Sequence, residues 1–117
     1  MMRPSAEVTV YLCVAPVDGR KQAASLALLV EQSLGRTVFE PALYVFTNRR
    51  RDRIRILYWE RNGLCLWTKR LEEQQFVWPR QVSGDTVPMN GRLLNALLDG
   101  FDVFSQGHRE LAIRRVG

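Results

Sequence analysis

The sequence predicts an α+β fold, with a mostly antiparallel sheet of four or five strands, one long helix and one short helix. Short runs rich in β-branched and aromatic residues occur beside two stretches whose apolar residues recur at helical spacing. The length of 117 residues leaves room for one hydrophobic core. We therefore expect a single domain over residues 1–117, with a mobile tail from about 103 to 117, where no strong pattern appears.

The first predicted elements are a strand over residues 8–14, inside the sheet, and a helix that begins at Asp18 and runs to about Leu34. Asp18 is a suitable N-cap, and Gly35 is suited to end the helix in a left-handed conformation. Arg20 and Lys21 then fall in the first turn, where cations oppose the helix dipole. They could form an outlying phosphate site there, or both side chains could simply point into water.

Three more strands are predicted over residues 42–46, 53–60 and 64–69, the last two joined as a hairpin. Two registers compete for that hairpin. A two-residue loop of Asn62 and Gly63 mixes the two faces. A three-residue loop with Gly63 at positive φ separates the two faces. We prefer this loop because a register shift of one residue exchanges the faces of a strand, so clear separation indicates the correct register. One face of the hairpin then carries Arg53, Arg55, Trp59, Trp67 and Lys69.

The rest of the chain is less regular. Residues 71–77 could form a further hairpin arm or a loose return. Residues 80–88 are polar, contain glycine and proline, and are predicted to be a loop. Gly91 to Asp99 is predicted to be the short helix, capped by Asn90 and ended by Gly100.

Charge is concentrated in one part of the sequence. The chain has 17 basic and 12 acidic residues, for a net charge of +5. The segment from Arg49 to Arg70 alone carries +6, so the remainder carries −1. Arginine dominates lysine, and the planar guanidinium fork suits bidentate phosphate contacts. An anionic partner is therefore expected at this segment.

Residues suited to catalysis are scarce. His108 is the only histidine, and Cys13 and Cys65 lie in apolar, strand-like surroundings. No aspartate lies inside an apolar strand, where metal-dependent nucleases place their carboxylates, and no glycine-rich phosphate loop is present. We expect no enzyme activity, no catalytic residues, no metal site and no cofactor. Two thiols, no membrane span and no signal peptide favour a cytoplasmic protein.

The basic segment with interleaved tryptophans is the feature that indicates a function. Arginines could meet phosphates while indole rings stack on bases or shape the groove. Alternatively, the charges form a solvated surface and the tryptophans fill a core. The predicted nucleic-acid-binding residues are Arg49, Arg50, Arg51, Arg53, Arg55, Trp59, Trp67, Lys69 and Arg70, with Arg20 and Lys21 as an outlying site.

Several separated motifs, in order, carry a resemblance to a known family. They are PVDGRK at residues 16–21, LYVFTNRRRDRIRILYW at 43–59, GLCLW at 63–67 and FVWP at 76–79. The sequence resembles the small accessory proteins of the sixty-six family of bacterial insertion sequences. It departs from that pattern at Gly19, where a larger residue is usual, and at Gln75.

The resemblance implies a mobile element that also encodes a separate transposase, which supplies the catalytic carboxylates. It carries no catalytic residue over to this chain. The leading hypothesis is a non-catalytic, DNA-binding accessory factor for transposition. The alternative is a protein-interaction module that docks on the transposase, or on another protein of the element, through acidic side chains. Neither hypothesis involves a membrane or defines an oligomeric state.

Overall fold

The computed structural model describes residues 3–79 and 85–104, so most of the predicted tail and residues 80–84 of the predicted loop lie outside the described residues. The elements are β1 (Thr9–Cys13), α1 (Ala23–Ser33), β2 (Ala42–Thr47), β3 (Arg53–Glu60), β4 (Gly63–Arg70), β5 (Thr86–Asn90) and α2 (Gly91–Leu98). The strands form one sheet in the order β4-β3-β2-β1-β5. The predicted α+β fold is confirmed.

Strands β1 and β2 form the one parallel pair among the described strands of this sheet. The connection between them contains α1, as a parallel pair requires, because the chain must return to the same end of the sheet. The other neighbouring pairs are antiparallel. β1 lies between β2 and β5, so the prediction that the first strand lies inside the sheet is confirmed.

The sheet buries apolar side chains on both faces. Alternate residues of β1 and β2 point to opposite faces, as the pleat of a strand requires. One face packs against α1, with Leu26 and Val30 of the helix fully buried. The other face packs against α2, which contributes Leu94, Leu97 and Leu98.

The hairpin register differs from both registers that the sequence suggested. Glu60 pairs with Gly63, so the loop consists of Arg61 and Asn62 alone. Arg61 takes the left-handed conformation with φ of 57°, which primed hairpin turns need at the first loop position, and Gly63 does not have a positive φ.

This register corrects the predicted composition of the two hairpin faces. Ile56 pairs with Trp67 and Ile54 pairs with Lys69, so Trp67 and Lys69 share a face with the isoleucines. Arg53 and Arg55 point to the opposite face. The prediction of three cations and two tryptophans on one face is wrong, because a register shift of one residue moves every side chain of a strand to the other face.

The start of α1 also differs from the prediction. The helix begins at Ala23, and its N-cap is Gln22, which makes no side-chain capping bond. Asp18 instead begins a turn in which its carbonyl accepts from the backbone N–H of Lys21 at 3.1 Å. Asp18 is therefore not a helix cap, and Arg20 and Lys21 lie before the helix, not in its first turn. The end is as predicted, with Gly35 at φ of 66°.

Part of the predicted loop over residues 80–88 is a strand. Residues 86–90 form β5, which pairs with β1 at the edge of the sheet, and Pro88 lies opposite Tyr11. Proline is tolerated there because an edge strand has one side without ladder partners. The short helix α2 follows directly, and the side chain of Asn90 accepts from the backbone N–H of Leu93 at 2.9 Å, which confirms the predicted cap.

The segment after β4 is a loose return, one of the two outcomes predicted for it. The backbone N–H of Leu71 donates to the carbonyl of Asp52 at 2.8 Å, and that of Phe76 donates to the carbonyl of Arg51 at 2.7 Å. Buried Trp78 donates its indole N–H to the carbonyls of Cys13 and Val14, at 3.2 and 3.1 Å. The return therefore links the turn after β2 to the end of β1.

Neither α1 nor α2, the helices of the described residues, has the length and apolar character that would let it cross a membrane.

Gly91 allows the N-terminal segment to lie directly against α2. A Cβ atom at this position would be 1.7 Å from the carbonyl oxygen of Ser5 and 2.9 Å from Val8 Cγ1. We predict that Gly91→Ala lowers the free energy of unfolding by about 1–3 kcal/mol, because backbone must move to admit the methyl group. Urea denaturation measures the change.

The matched control is Gly63→Ala. Nothing lies within 4 Å of a Cβ at position 63, and its φ is not positive. This variant should unfold within about 0.5 kcal/mol of the natural protein. Equal stability of the two variants would contradict the close packing at Gly91.

Candidate nucleic-acid interface

Two loops at one end of the sheet enclose a cleft of about 430 Å³. One wall is the connection from β1 to α1, through residues 16–20. The other is the turn between β2 and β3, from Asn48 onwards. The arginines that line this arginine cleft are Arg20, Arg49, Arg50 and Arg53. Asp18 is the one acidic residue among the lining residues, so the lining carries a formal charge of +3.

Arg55 holds the first wall in place. Its side chain points from β3 towards the loop, and the residue is only 6% exposed. One guanidinium nitrogen, Nη1, donates to the carbonyl of Lys21, and the other, Nη2, donates to the carbonyl of Asp18 at 2.9 Å. Burial, with the nearby charge of Arg53, lowers the pKa of Arg55. Arg55 is thus a buried cation whose donors are used inside the protein.

Arg53 lies two residues earlier on the same face of β3 and reaches the same loop. Its Nη1 donates to the carbonyl of Gly19 at 3.3 Å. The residue is only partly buried, and it lines the cleft. Arg53 therefore joins the two walls while part of its guanidinium remains accessible to a ligand in the cleft.

The second wall is a turn that is held from inside and from outside. Inside it, the amide of Asn48 donates to Asp52 Oδ1 at 2.6 Å, and the backbone N–H of Arg51 donates to the carbonyl of Asn48 at 3.0 Å. The hydrogen bond from the Asn48 amide lowers the pKa of Asp52, and the positive charge of Arg50 lowers it further. From outside, the side chain of Gln75 donates to the carbonyl of Arg50 at 2.7 Å.

The turn presents its arginine side chains to solvent. The side chain of Arg50 is 82% exposed, and its Nε lies 3.9 Å from Asp52 Oδ2. Arg49 is also exposed. Arg51 takes the left-handed conformation, with φ of 59°, which is uncommon for a residue with a side chain.

On the first wall, Asp18 pairs with Arg20. Nε and Nη2 of Arg20 donate to the two carboxylate oxygens at 3.2 and 3.0 Å, and the backbone N–H of Arg20 adds a bond of 2.9 Å. These bonds and the charge of Arg20 lower the pKa of Asp18. The side chain of Arg20 is 91% exposed, so it stays accessible at the rim.

The structure does not bring the other predicted site residues into the cleft. Lys21 lines a separate shallow hollow along α1. Lys69 lies on the opposite face of the sheet, where its Nζ donates to the carbonyl of Leu98 at 2.8 Å. Trp67 packs against the core on that same face. Arg51 and Arg70 lie next to the cleft: Arg51 in its second wall, and exposed Arg70 opposite Arg53 on β4.

Trp59 shares a face with Arg53 but lies at the far end of β3. Six residues of strand separate them by about 20 Å. The indole of Trp59 packs edge-to-face against Phe39, with 4.8 Å between ring centroids, and donates to the carbonyl of Arg61 at 3.1 Å. The tryptophans that the sequence places together with the arginines are therefore distant from the cleft.

Sequence reasoning missed the residues that shape the cleft without carrying charge. Gly19 leaves the space in front of Arg53 open, Asn48 closes the turn, and Gln75 supports it from the return segment. Asn48 and Gly19 stand within polar, turn-like stretches, which is a weak signal. Gln75 is far from both stretches in the sequence, where it stood out only as a departure from the family pattern.

Within residues 3–79 and 85–104, no three side chains of His, Cys, Asp or Glu come together as a group that could hold a metal ion.

Comparison with known proteins gives the class to which the chain belongs. A profile described as IS66 Orf2 like protein matches residues 8–108. Two proteins of Sinorhizobium fredii are similar: y4hO is 33% identical over 102 residues, covering 86% of this chain and 88% of the relative. The other, y4jC, is 31% identical over 102 residues, covering 87% of this chain and 86% of the relative. Both carry the description "uncharacterized protein". No solved structure matches.

The match over residues 8–108 identifies the chain as an accessory protein of an insertion sequence. It belongs to the IS66 Orf2-like family. The family suggested by the motifs is confirmed.

Substitutions of buried Arg55 and exposed Arg49 should differ in their effect on the free energy of unfolding. We predict that Arg55→Lys lowers the free energy of unfolding by about 1–3 kcal/mol, because a single ammonium nitrogen replaces the two guanidinium nitrogens that each reach a different carbonyl. Arg49→Lys, at an exposed position, should change it by less than about 0.5 kcal/mol. Urea denaturation of both variants provides the measurement, and an Arg55→Lys variant as stable as the natural protein would refute the structural role.

Proposed function

We propose that the chain is a non-catalytic, DNA-binding accessory factor for transposition of an insertion sequence. The observation that carries the proposal is the arginine cleft, where three arginines from two loops and Arg53 from the start of β3 surround one concave space. Its membership of the IS66 Orf2-like family supplies the setting. In this proposal, the chain contributes binding in the cytoplasm, and a separate transposase contributes the chemistry.

The arrangement of the arginines supports a phosphate ligand. Guanidinium groups donate two parallel hydrogen bonds to a phosphate, which an ammonium group cannot do. The loops that carry them are held by Arg55 and by the Asn48–Asp52 bond, so little ordering is needed on binding. A site whose groups are already in position loses less entropy when the ligand arrives.

The proposal predicts a salt dependence that these arginines control. If the three exposed arginines of the cleft, Arg20, Arg49 and Arg50, neutralise three phosphates, log affinity for duplex DNA should fall with log salt at a slope near −2.7. The double variant Arg49→Gln/Arg50→Gln should bind more weakly, and its slope should flatten by about 1.8, because two contacts are lost. Fluorescence anisotropy with a synthetic duplex that has 5′-hydroxyl ends measures both quantities.

The control removes the same charge elsewhere. Arg61→Gln/Arg92→Gln also lowers the net charge by two, at exposed positions outside the cleft. It should retain nearly the slope of the natural protein. No binding at low salt, or the same change in both double variants, would disprove the cleft as the DNA site.

A second function is favoured by the exposed aromatic pair at the other end of β3. Phe39 is 63% exposed and Trp59 is 36% exposed, and exposed aromatic residues are typical anchors of protein interfaces. We propose as the alternative that the chain docks on the transposase of the same element or on another element-encoded protein. In that case the arginines would meet acidic side chains.

The two functions are separated by Trp59→Ala. If the protein docks through the aromatic pair, this variant should reduce its affinity for the transposase by about thirtyfold or more, since anchor residues contribute at least about 2 kcal/mol. Duplex affinity should not change, because the residue is about 20 Å from the cleft. A co-purification assay and the anisotropy titration measure the two effects. Undiminished capture would exclude the aromatic pair as the docking site.

A further inference from the structure

The arginine cleft has two levels at which a phosphate could be bound. Arg20 and Arg50 stand at the rim, with side chains 91% and 82% exposed. Arg53 lies deeper, because it is partly buried and its Nη1 is bonded to the carbonyl of Gly19. A ligand that contacts Arg53 must therefore enter between the two loops.

The backbone of a duplex fits the rim better than the floor. Its phosphates lie along the outside of a broad helix, and each is attached to a sugar on both sides. A phosphate at the end of a strand has a sugar on one side only, so it can project into a recess. The cleft volume of about 430 Å³ is within the range of small-ligand sites, at its lower end.

Charge favours the same ligand. A phosphate monoester carries close to two negative charges at neutral pH, whereas each internal phosphodiester carries one. The cleft lining has a formal charge of +3, since Asp18 is present with the four arginines. A terminal phosphate therefore matches the charge of the cleft lining better than an internal one.

We propose that the cleft binds the terminal phosphate of a DNA strand, with Arg53 at its floor and the rim arginines on the neighbouring phosphates. This inference rests on the proposed function, and it names the ligand of the same site. Gly19 is one of the residues at which the sequence departs from the family pattern, so the proposed site is assigned to this chain alone.

Gly19 provides the test, because it controls the space in the cleft without carrying charge. A Cβ at position 19 would lie 3.3 Å from Arg53 Nη1, and the φ of Gly19 is not in the left-handed region. Gly19→Leu should therefore fill the floor while all four arginines remain. Gly63→Leu, at a position with no atoms within 4 Å of a Cβ, is the matched control.

The experiment compares two single-stranded oligonucleotides that differ only in a 5′-phosphate or a 5′-hydroxyl, by fluorescence anisotropy. The natural protein should bind the phosphorylated strand about tenfold more tightly, as expected for one set of charge-assisted hydrogen bonds. Gly19→Leu should lose this preference and keep its affinity for the hydroxyl strand. Gly63→Leu should keep both.

Each other result overturns a specific claim. Equal binding of the two strands by the natural protein refutes the terminal-phosphate site and leaves the proposed function standing. A preference that survives in Gly19→Leu places the recognition outside the cleft. If Gly19→Leu does not fold, Arg53→Gln decides, since it removes the cation at the floor and should lose the preference for the 5′-phosphate. No binding of either strand, nor of duplex, refutes the proposed function itself.

Discussion

The candidate site depends on one buried interaction, the guanidinium of Arg55 bonded to the carbonyls of Asp18 and Lys21. A loop between a strand and a helix has few internal hydrogen bonds, and here a side chain from β3 supplies them. The bonds turn the loop towards the sheet and bring Asp18 and Arg20 beside the turn that carries Arg49 and Arg50. Without this cation, the hydrogen bonds from this wall to β2 and β3 in the described residues would be reduced to those of Arg53 and of Val17 with Thr47, beside the packing of Val17 in the core.

The second wall depends on the return segment after β4. Its backbone bonds to the turn at Arg51 and Asp52, and its buried Trp78 bonds to the end of β1. The fold thus uses two different means to hold two loops: a charged side chain for one and a length of backbone for the other. Both leave the exposed arginine side chains available for a ligand, which is the arrangement that a preformed binding site requires.

Local patterns in the sequence predicted strands β1 to β4, the capped helix α2 and the arginine-rich turn between β2 and β3, because these depend on neighbouring residues. The hairpin register could not be predicted in the same way. Its turn places Arg61 in a left-handed conformation, although Asn62 and Gly63 are the residues that usually favour one. That choice moved Trp67 and Lys69 to the other face, so two of the five residues expected on the aromatic and cationic face lie elsewhere.

The difference between a binding arginine and a structural one was also invisible in the sequence. Arg53 and Arg55 belong to the same charged run, and only the position of the loop before α1 shows that Arg55 is 6% exposed while Arg53 lines the cleft. The same holds for Asp18, which looked like a helix cap. Its carbonyl bonds to Arg55, and its carboxylate holds Arg20. Contacts between distant segments decide these roles.

Binding of DNA phosphates in the arginine cleft is tested by NMR of the arginine side-chain Nε–H groups during addition of an oligonucleotide. We expect the signals of Arg20, Arg49, Arg50 and Arg53 to shift as the complex forms. The signals of buried Arg55 and of exposed Arg92 should stay in place. Shifts confined to Arg92 or to the indole N–H of Trp59, with unmoved signals from the cleft, would contradict it.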